Sequence, residues 1–338
     1  MKGLFITEKD KLEIRELPDP KPGPYEALVQ VEACSICNST DWKLIKGEFV
    51  RGTYPILLGH ESIGRVIQLG EKVHSFQIGD RVLRSSLRDE HIPYPGGRSC
   101  WGGFVEKALV TDVWSMKDQP YNSFPHPQQI VPPDIPSEQA TALITLKETL
   151  NCLENTGVES SQSLAIIGTG PVAQALTFLA KLSNIKPVVV FGRQTHWQDL
   201  FCGLGSDAYI AGYVDGMELP YTVNEILNVG GFDRVIEAAG SRDALSLGLK
   251  ISKPNGRINL YGIPPEGTPY LPAEESNERV FRSKVAEAEE HDKLLAWIDE
   301  KKIDLADWIT CTLPWEAYQS GFEMVKTKKA NKIVLTFE

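Results

Sequence analysis

Long apolar runs are missing from this chain. No stretch of its 338 residues approaches the roughly 20 apolar residues that a membrane helix needs, which excludes a helical membrane span. The opening segment MKGLFITEKDKLEIREL has no apolar signal core and reads as strand, so the cytoplasm is the expected location. Cysteine is scarce. Cys34, Cys37, Cys100, Cys152, Cys202 and Cys311 are scattered, which argues against a disulfide framework. Only Cys34 and Cys37 form a C-x-x-C pair, and Cys100 stands alone in its region. The cluster that a four-cysteine structural zinc lobe requires is therefore absent, and no structural zinc is expected. Positive charge is in deficit: 35 Lys and Arg face 45 Asp and Glu, for a formal net charge of −10. Such a balance keeps a protein soluble and repels nucleic acid and anionic membrane, leaving a small molecule as the expected partner. No internal repeat and no low-complexity segment is present.

What remains is an ordinary globular composition, 42% hydrophobic and 24% charged, with length for two cores. Up to about residue 115 short apolar or alternating runs recur, among them Leu28-Val29-Gln30-Val31, Ile63-Gly64-Arg65-Val66-Ile67 and Arg81-Val82-Leu83. Turn residues punctuate them, as in Pro18-Asp19-Pro20 and Gly79-Asp80, a pattern that suits a compact, partly open barrel. Residues 85–97 read as a polar loop and 112–136 as an irregular crossing. A helix then starts near Pro136, with Ser137 as its expected cap. From there strands expected at 164–167, 188–191, 207–210, 234–237 and 257–261 alternate with helices at 172–183, 197–204 and 244–251. That alternation implies an α/β, doubly wound parallel sheet. Near Arg282 it stops. A charged amphipathic helix is expected over 285–300, and the terminal strand is expected to return to the first domain.

One glycine-rich turn carries chemistry. Gly168-Thr169-Gly170-Pro171-Val172-Ala173 follows an apolar strand and opens a helix, which is the context the G-x-G-x-x-A pattern requires. Gly168 permits the tight turn, Gly170 lets the backbone approach a pyrophosphate, and Ala173 keeps helix and strand close. The plainer reading is a glycine turn without a ligand. At the end of the next strand an NAD site usually carries an acid for the ribose 2′-hydroxyl. Here Gly192 leaves room, and Arg193 can make charge-assisted bonds to a 2′-phosphate, so NADP is expected over NAD. Arg193 as a solvated surface residue is the alternative.

A second constellation comes earlier. His60 and Glu61, in Gly59-His60-Glu61-Ser62, follow Cys37 by 23 and 24 positions. A thiolate, an imidazole and a carboxylate could hold one zinc with a position left open. Read singly, Cys37 is a buried apolar thiol and His60 a satisfied structural histidine. Zinc together with a dinucleotide suggests hydride transfer at an alcohol carbon.

At this point the chain resembles the medium-chain dehydrogenase/reductase superfamily, on its zinc alcohol/polyol dehydrogenase side. The Cys37 segment, Gly59-His60-Glu61, Gly79-Asp80-Arg81-Val82, Gly102-Gly103-Phe104, the Gly168 turn, residues 232–237 and the end segment 330–337 carry the likeness, in order, over nearly the whole chain. The resemblance implies a GroES-like catalytic domain, 1–140 and 283–338, split around a Rossmann domain at 141–282. It also implies one catalytic zinc and a homodimer or homotetramer. By position, Cys37 and His60 become zinc ligands, and Glu61 a ligand or near neighbour. Ser39 and Thr40 fall at the proton-relay positions, with Asp41 supporting the ligands from behind. The family's usual third ligand would fall on Ile144 or Thr145, neither of them convincing. Glu148, one helical turn on, could reach inward or be a solvated helix residue, and Cys152 is a weaker substitute. Trp42 and Trp101 line a substrate pocket or belong to the core. The expectation is a hydride transfer between NADP(H) and an alcohol or polyol, or the matching ketone or aldehyde. The alternatives are a metal-free reductase of activated double bonds or quinones and, in a different class, a non-catalytic dinucleotide-binding protein.

Overall fold

The structure is a computed structural model, and it describes every residue except 49–53, 119–123, 125, 265–278, 285, 328–329 and 338. Its contacts divide the chain into two compact units, Met1–Lys147 with Ala286–Glu338, and Glu148–Val285. The first is β-rich and the second is a parallel α/β sheet, as the alternation of elements implied. Among the described residues no helix is long and apolar enough to cross a membrane.

The first unit is organised by the long strand Glu26–Ile36, which is buried at nine of its eleven positions and can therefore sit only inside a sheet. It pairs antiparallel with Glu61–Leu69, with Lys107–Thr111 and with the terminal strand Ile333–Thr336. Arg81–Leu83, Ile130–Val131 and Cys311–Pro314 complete a seven-stranded sheet. A four-stranded sheet joins the hairpin of Lys2–Glu8 and Lys11–Glu16 to Ile56–Leu57 and Arg98–Ser99. Leu4, Phe5, Val29, Phe104 and Phe322 belong to the apolar core of this unit.

Register in that sheet gathers chemistry at one end. Ser35 lies opposite Glu61, and Ile36 opposite Ile333. Cys37 follows Ile36, His60 precedes Glu61, and Lys332 precedes Ile333, so three neighbouring strands end together with a polar residue each. Gly59 makes the turn possible. Its φ is +106°, and a Cβ there would lie 2.3 Å from the Phe104 nitrogen, so no other residue fits.

In the second unit the strands run in the order Ala208–Ala211, Val188–Gly192, Leu164–Ile167, Phe232–Glu237, Ser252–Leu260, Val280–Phe281, all parallel. Numbered along the sheet's own sequence this is 3-2-1-4-5-6, the doubly wound order of a dinucleotide-binding sheet. The helices Pro171–Leu182, Gln198–Leu204 and Arg242–Ile251 alternate with the strands as expected, and Tyr221–Asn228 adds a fourth.

Two local expectations need correction. Ser137 is the first helical residue rather than the cap. The cap position is Pro136, and the Ser137 hydroxyl instead donates to Glu32 and accepts from Arg81 at 3.1 Å. The amphipathic helix expected over 285–300 is shorter. Glu287–Glu290 form a 3₁₀ turn and only His291–Asp299 are α-helical, while residue 285 lies outside the described residues. Glu287 is fully buried, facing Arg84, which the charged sequence pattern does not show.

Candidate functional site

The strand ends bring Cys37, His60 and Glu61 together, with one ligand atom of each lying within 4.8 Å of the others. His60 and Glu61 are buried and Cys37 is half-buried. Asp41, fully buried on the short helix Thr40–Ile45, ties the group from behind. Its Oδ2 accepts the Cys37 backbone N–H at 2.9 Å, and its Oδ1 stands 3.3 Å from His60 Nδ1. Those last two atoms are buried and, although close, make no well-aligned hydrogen bond to each other or to any other group among the described residues. Burial opposes a charge on His60. The Asp41 carboxylate and the Cys37 sulfur outweigh it and hold the pKa well above the ordinary imidazole value.

Glu61 is held differently. Lys332 Nζ lies 2.6 Å from Oε2, the Ser35 hydroxyl donates to the same oxygen, and the Thr145 hydroxyl donates to Oε1 at 3.0 Å. Lys332 also donates to Thr145 at 2.7 Å. Burial works against the Glu61 charge, but Lys332 above all, with His60 and Ser35, brings its pKa down to about 2.

These residues pass a test for a metal. Zinc bonds of roughly 2.0–2.3 Å place neighbouring ligand atoms some 3.5–4 Å apart, within the spread observed. A carboxylate has about four acceptor positions. Three on Glu61 are taken, leaving one on Oε1. With the Asp41 carboxylate 3.3 Å from Nδ1, the other His60 nitrogen is the one that would be offered to a cation. Glu148 is not in this group. It belongs to the second unit, where Tyr261 donates to it at 3.3 Å. Ser39 is exposed and Thr40 half-buried, and neither hydroxyl makes a hydrogen bond among the described residues.

The glycine turn of the second unit is built from empty space. Gly168 has φ +140°, and a Cβ there would meet the Ala238 carbonyl carbon at 3.2 Å. At Gly170 a Cβ would meet nothing within 4 Å, so the helix Pro171–Leu182 begins with open room before its amides. Thr169 is half-buried, Pro171 occupies the first helical turn with Val172, and Ala173 is buried against the sheet. Gly192 does not leave room in the manner its sequence suggests. A Cβ there would lie 2.0 Å from Tyr209 Oη and 2.6 Å from Thr169 Cγ2, so Tyr209 fills the place of the missing side chain. Arg193 is exposed and makes no side-chain hydrogen bond or ion pair among the described residues.

Comparison with known proteins bears on both sites. The sequence pattern of the family described as "Alcohol dehydrogenase GroES-like domain" matches residues 23–118, and that of "Zinc-binding dehydrogenase" matches 171–300, together about two thirds of the chain. The chain belongs to the zinc-type medium-chain dehydrogenase/reductase superfamily. Among its relatives is an L-threonine 3-dehydrogenase of Legionella pneumophila, 24% identical with all of both chains covered. Another, named NADP-dependent isopropanol dehydrogenase, from Thermoanaerobacter brockii, is 26% identical over 78% of this chain and 76% of its own. The alcohol dehydrogenase TADH from Thermus sp. ATN1 superposes over the whole of both chains with a TM-score of 0.79 at 23% identity, which shows a shared fold.

Among the buried cations of this dehydrogenase-family chain that escaped the sequence reading, two bond to residues of the candidate metal group. Lys332 is one. Arg84 is the other: it has φ +59°, donates to both Glu287 oxygens at 2.6 and 2.7 Å, and reaches the His60 carbonyl at 3.1 Å. Burial opposes the charge on Glu287, and Arg84 holds its pKa far below the usual carboxylate range. The only sequence signal for Lys332 was its place at the mouth of a buried apolar strand. Trp101 also borders the site, its ring 5.1 Å from that of His60. It too has a left-handed backbone, φ +67°, a conformation that costs a bulky residue roughly 1–3 kcal/mol.

Proposed function

We propose that this protein is a zinc-dependent, NADP-preferring dehydrogenase of alcohols or polyols, interconverting an alcohol and its ketone or aldehyde. The observation that carries the reading is the convergence of Cys37, His60 and Glu61 ligand atoms within 4.8 Å at the ends of adjoining strands. When bound, zinc would supply Lewis-acid polarisation of an alcohol oxygen, and NADP the acceptor of a hydride.

The chain's own residues do the rest. Cys37 and His60 hold the metal, and Glu61 offers its free Oε1 position as the third group, in preference to Glu148. Lys332 keeps Glu61 charged, and Asp41 orients His60. Ser39 and Thr40, beside Cys37 and with no hydrogen-bond partner for their hydroxyls among the described residues, pass the alcohol proton toward solvent. Gly168, Thr169, Gly170, Pro171 and Val172 receive the pyrophosphate at the helix N-terminus, and Arg193, after Gly192, binds the 2′-phosphate. The relative named as NADP-dependent supports that preference.

One observation favours a second reading, a metal-free reductase. Thr145, near the place of the family's usual third ligand, is spent on Glu61 and Lys332. Elemental mass spectrometry separates the two. About one zinc per chain in the wild type, lost in Cys37→Ala, is expected. A zinc-free wild type purified without chelator would transfer the proposal to the reductase.

A further inference from the structure

We infer that Tyr209 decides which dinucleotide the second unit accepts: its hydroxyl stands where an acidic side chain for a ribose 2′-hydroxyl would have to start, and it holds the backbone that carries Arg193. The inference rests on the NADP reading above and adds a specificity-determining residue outside the glycine turn and the Gly192-Arg193 pair.

An NAD site usually carries its acid at the end of the second strand of the sheet. In this chain that position is Gly192. Its backbone is not left-handed, so conformation alone would allow a side chain. Space forbids one. A Cβ on Gly192 would lie 2.0 Å from Tyr209 Oη, 2.7 Å from Tyr209 Cζ and 2.6 Å from Thr169 Cγ2. Gly192 is fixed on both sides. Its carbonyl accepts from Gly212 N at 2.8 Å, and the Phe191 carbonyl before it accepts from Gly168 N at 2.9 Å. Tyr209 is fixed as well. It is buried in the strand Ala208–Ala211, where the parallel ladder sets it opposite Val190. Its ring stacks on Phe201, with centroids 5.5 Å apart and 13° between the planes, and its hydroxyl donates to the Gln194 carbonyl at 2.7 Å. Swinging Tyr209 aside to admit a side chain would break the stack and the hydrogen bond together.

The bond to Gln194 has a second effect. Burial raises the Tyr209 pKa above the ordinary phenol value, so the hydroxyl keeps its proton and remains a donor. Gln194 follows Arg193 directly, and a 3₁₀ turn at Thr195–Trp197 comes next. Anchoring the Gln194 carbonyl therefore fixes the direction in which the exposed Arg193 leaves the strand. A guanidinium on a fixed backbone has less freedom to lose on meeting a 2′-phosphate. Tyr209 thus excludes the group that would select NAD and steadies the one that would select NADP.

The test compares Gly192→Asp, Tyr209→Leu and their combination by isothermal titration with NADP and NAD. Leucine lacks Cζ and Oη, the two tyrosine atoms that an added Cβ would meet. Gly192→Asp installs the acid of an NAD site, yet alone it should bind NAD no more tightly than the wild type. With Tyr209→Leu added, NAD should bind about tenfold more tightly than to Gly192→Asp alone. Thermal unfolding without ligand reads the same clash directly. Gly192→Ala, which adds the bare Cβ, should lower Tm by about 5 °C with Tyr209 in place and by less than half as much in the Tyr209→Leu background. The mildest variant, Tyr209→Phe, keeps the stack and loses the hydroxyl; NADP should weaken about threefold, with NAD unchanged. A gain in NAD affinity from Gly192→Asp with Tyr209 in place, or an equal drop in Tm on both backgrounds, would make Tyr209 an ordinary core ring and overturn the inference, even in a wild type that prefers NADP. Equal weakening of both dinucleotides in Tyr209→Phe, or of neither, would overturn its hold on Arg193. A wild type that binds NAD and NADP equally, with NAD binding by Gly192→Asp still released only by Tyr209→Leu, would support the inference and count against the NADP reading instead.

Discussion

Glu61 in the first unit and Glu237 in the second are both buried carboxylates at the ends of strands, yet they are held in opposite states. Glu61 meets the Lys332 ammonium at 2.6 Å, and although burial opposes its charge, its pKa falls to about 2. Glu237 accepts the backbone N–H groups of Ala239 and Gly240, each at 2.8 Å, and is also favoured in its charged form by Ser241 N–H and Arg282, yet burial wins and pushes its pKa up to about 7. The contrast extends to the regions around them. The candidate metal centre is assembled from buried charged side chains: Glu61 with Lys332, Asp41 behind His60, Arg84 with Glu287. The glycine turn is assembled from backbone and vacant volume, with Gly168 against Ala238 and Gly170 against nothing. The first is sensitive to what is removed, the second to what is added.

Removing Lys332 is the strongest way to break the comparison. Lys332→Met leaves Glu61 buried with two hydroxyl donors and without its bonded ammonium, and a bereft buried charge of this kind costs about 3–5 kcal/mol. Urea unfolding should show that loss, and the double variant Glu61→Gln with Lys332→Met should recover much of it. A loss under about 1 kcal/mol in the single variant would mean that the ion pair does not hold this end of the sheet.

Titration sharpens the contrast. Glu61 has a folded pKa below the ordinary value of 4.5, so it contributes stability that is present above that pH and lost as pH falls toward 2. Glu237 has a folded pKa above 4.5, so its contribution is complete below that pH and lost as pH rises toward 7. Each shift corresponds to roughly 3 kcal/mol over its window. The stability of the wild type relative to Glu237→Gln should therefore decline by that amount between pH 4.5 and 8, the opposite contribution of His291, whose pKa burial lowers to about 4, cancelling in the comparison. A difference that stays flat would assign any decline to another group.

The same contrast explains what the sequence could show. The α/β alternation, the return of the terminal strand and the glycine turn were legible because periodicity and glycine spacing are local properties. The pairing of Cys37 with His60 was legible from the family's spacing. Lys332 and Arg84 were not, because a cation that will be buried is written with the same letter as one that will be solvated. Only the register of Ile36 with Ile333 and of Ser35 with Glu61 brings Lys332 to Glu61. Gly192 misled for a related reason. Its missing side chain looked like space, whereas Tyr209, seventeen residues on, fills it.

A smaller effect is expected at Arg193, which is exposed and makes no ion pair among the described residues. Arg193→Gln should leave unfolding unchanged and weaken NADP about tenfold, with NAD unaffected, since only the 2′-phosphate distinguishes the two. Isothermal titration with both dinucleotides measures this. Equal weakening of both would remove Arg193 as the source of any NADP preference.

The smallest effect on the fold belongs to Gly170. Its φ is −72°, which any residue can adopt, and an added Cβ meets nothing within 4 Å. Gly170 occupies the N-cap, where alanine is somewhat worse than glycine, so Gly170→Ala should cost at most about 1 kcal/mol in the absence of ligand. The vacant volume above the turn is the space a pyrophosphate would need, and one methyl group takes part of it. Thermal unfolding should therefore shift little in the free protein, while the rise in Tm that NADP gives the wild type should shrink in the variant. A variant that unfolds far more easily without ligand would show that the turn, like the metal centre, is held by tight packing. One that keeps the full NADP response would show that the space serves something other than a dinucleotide.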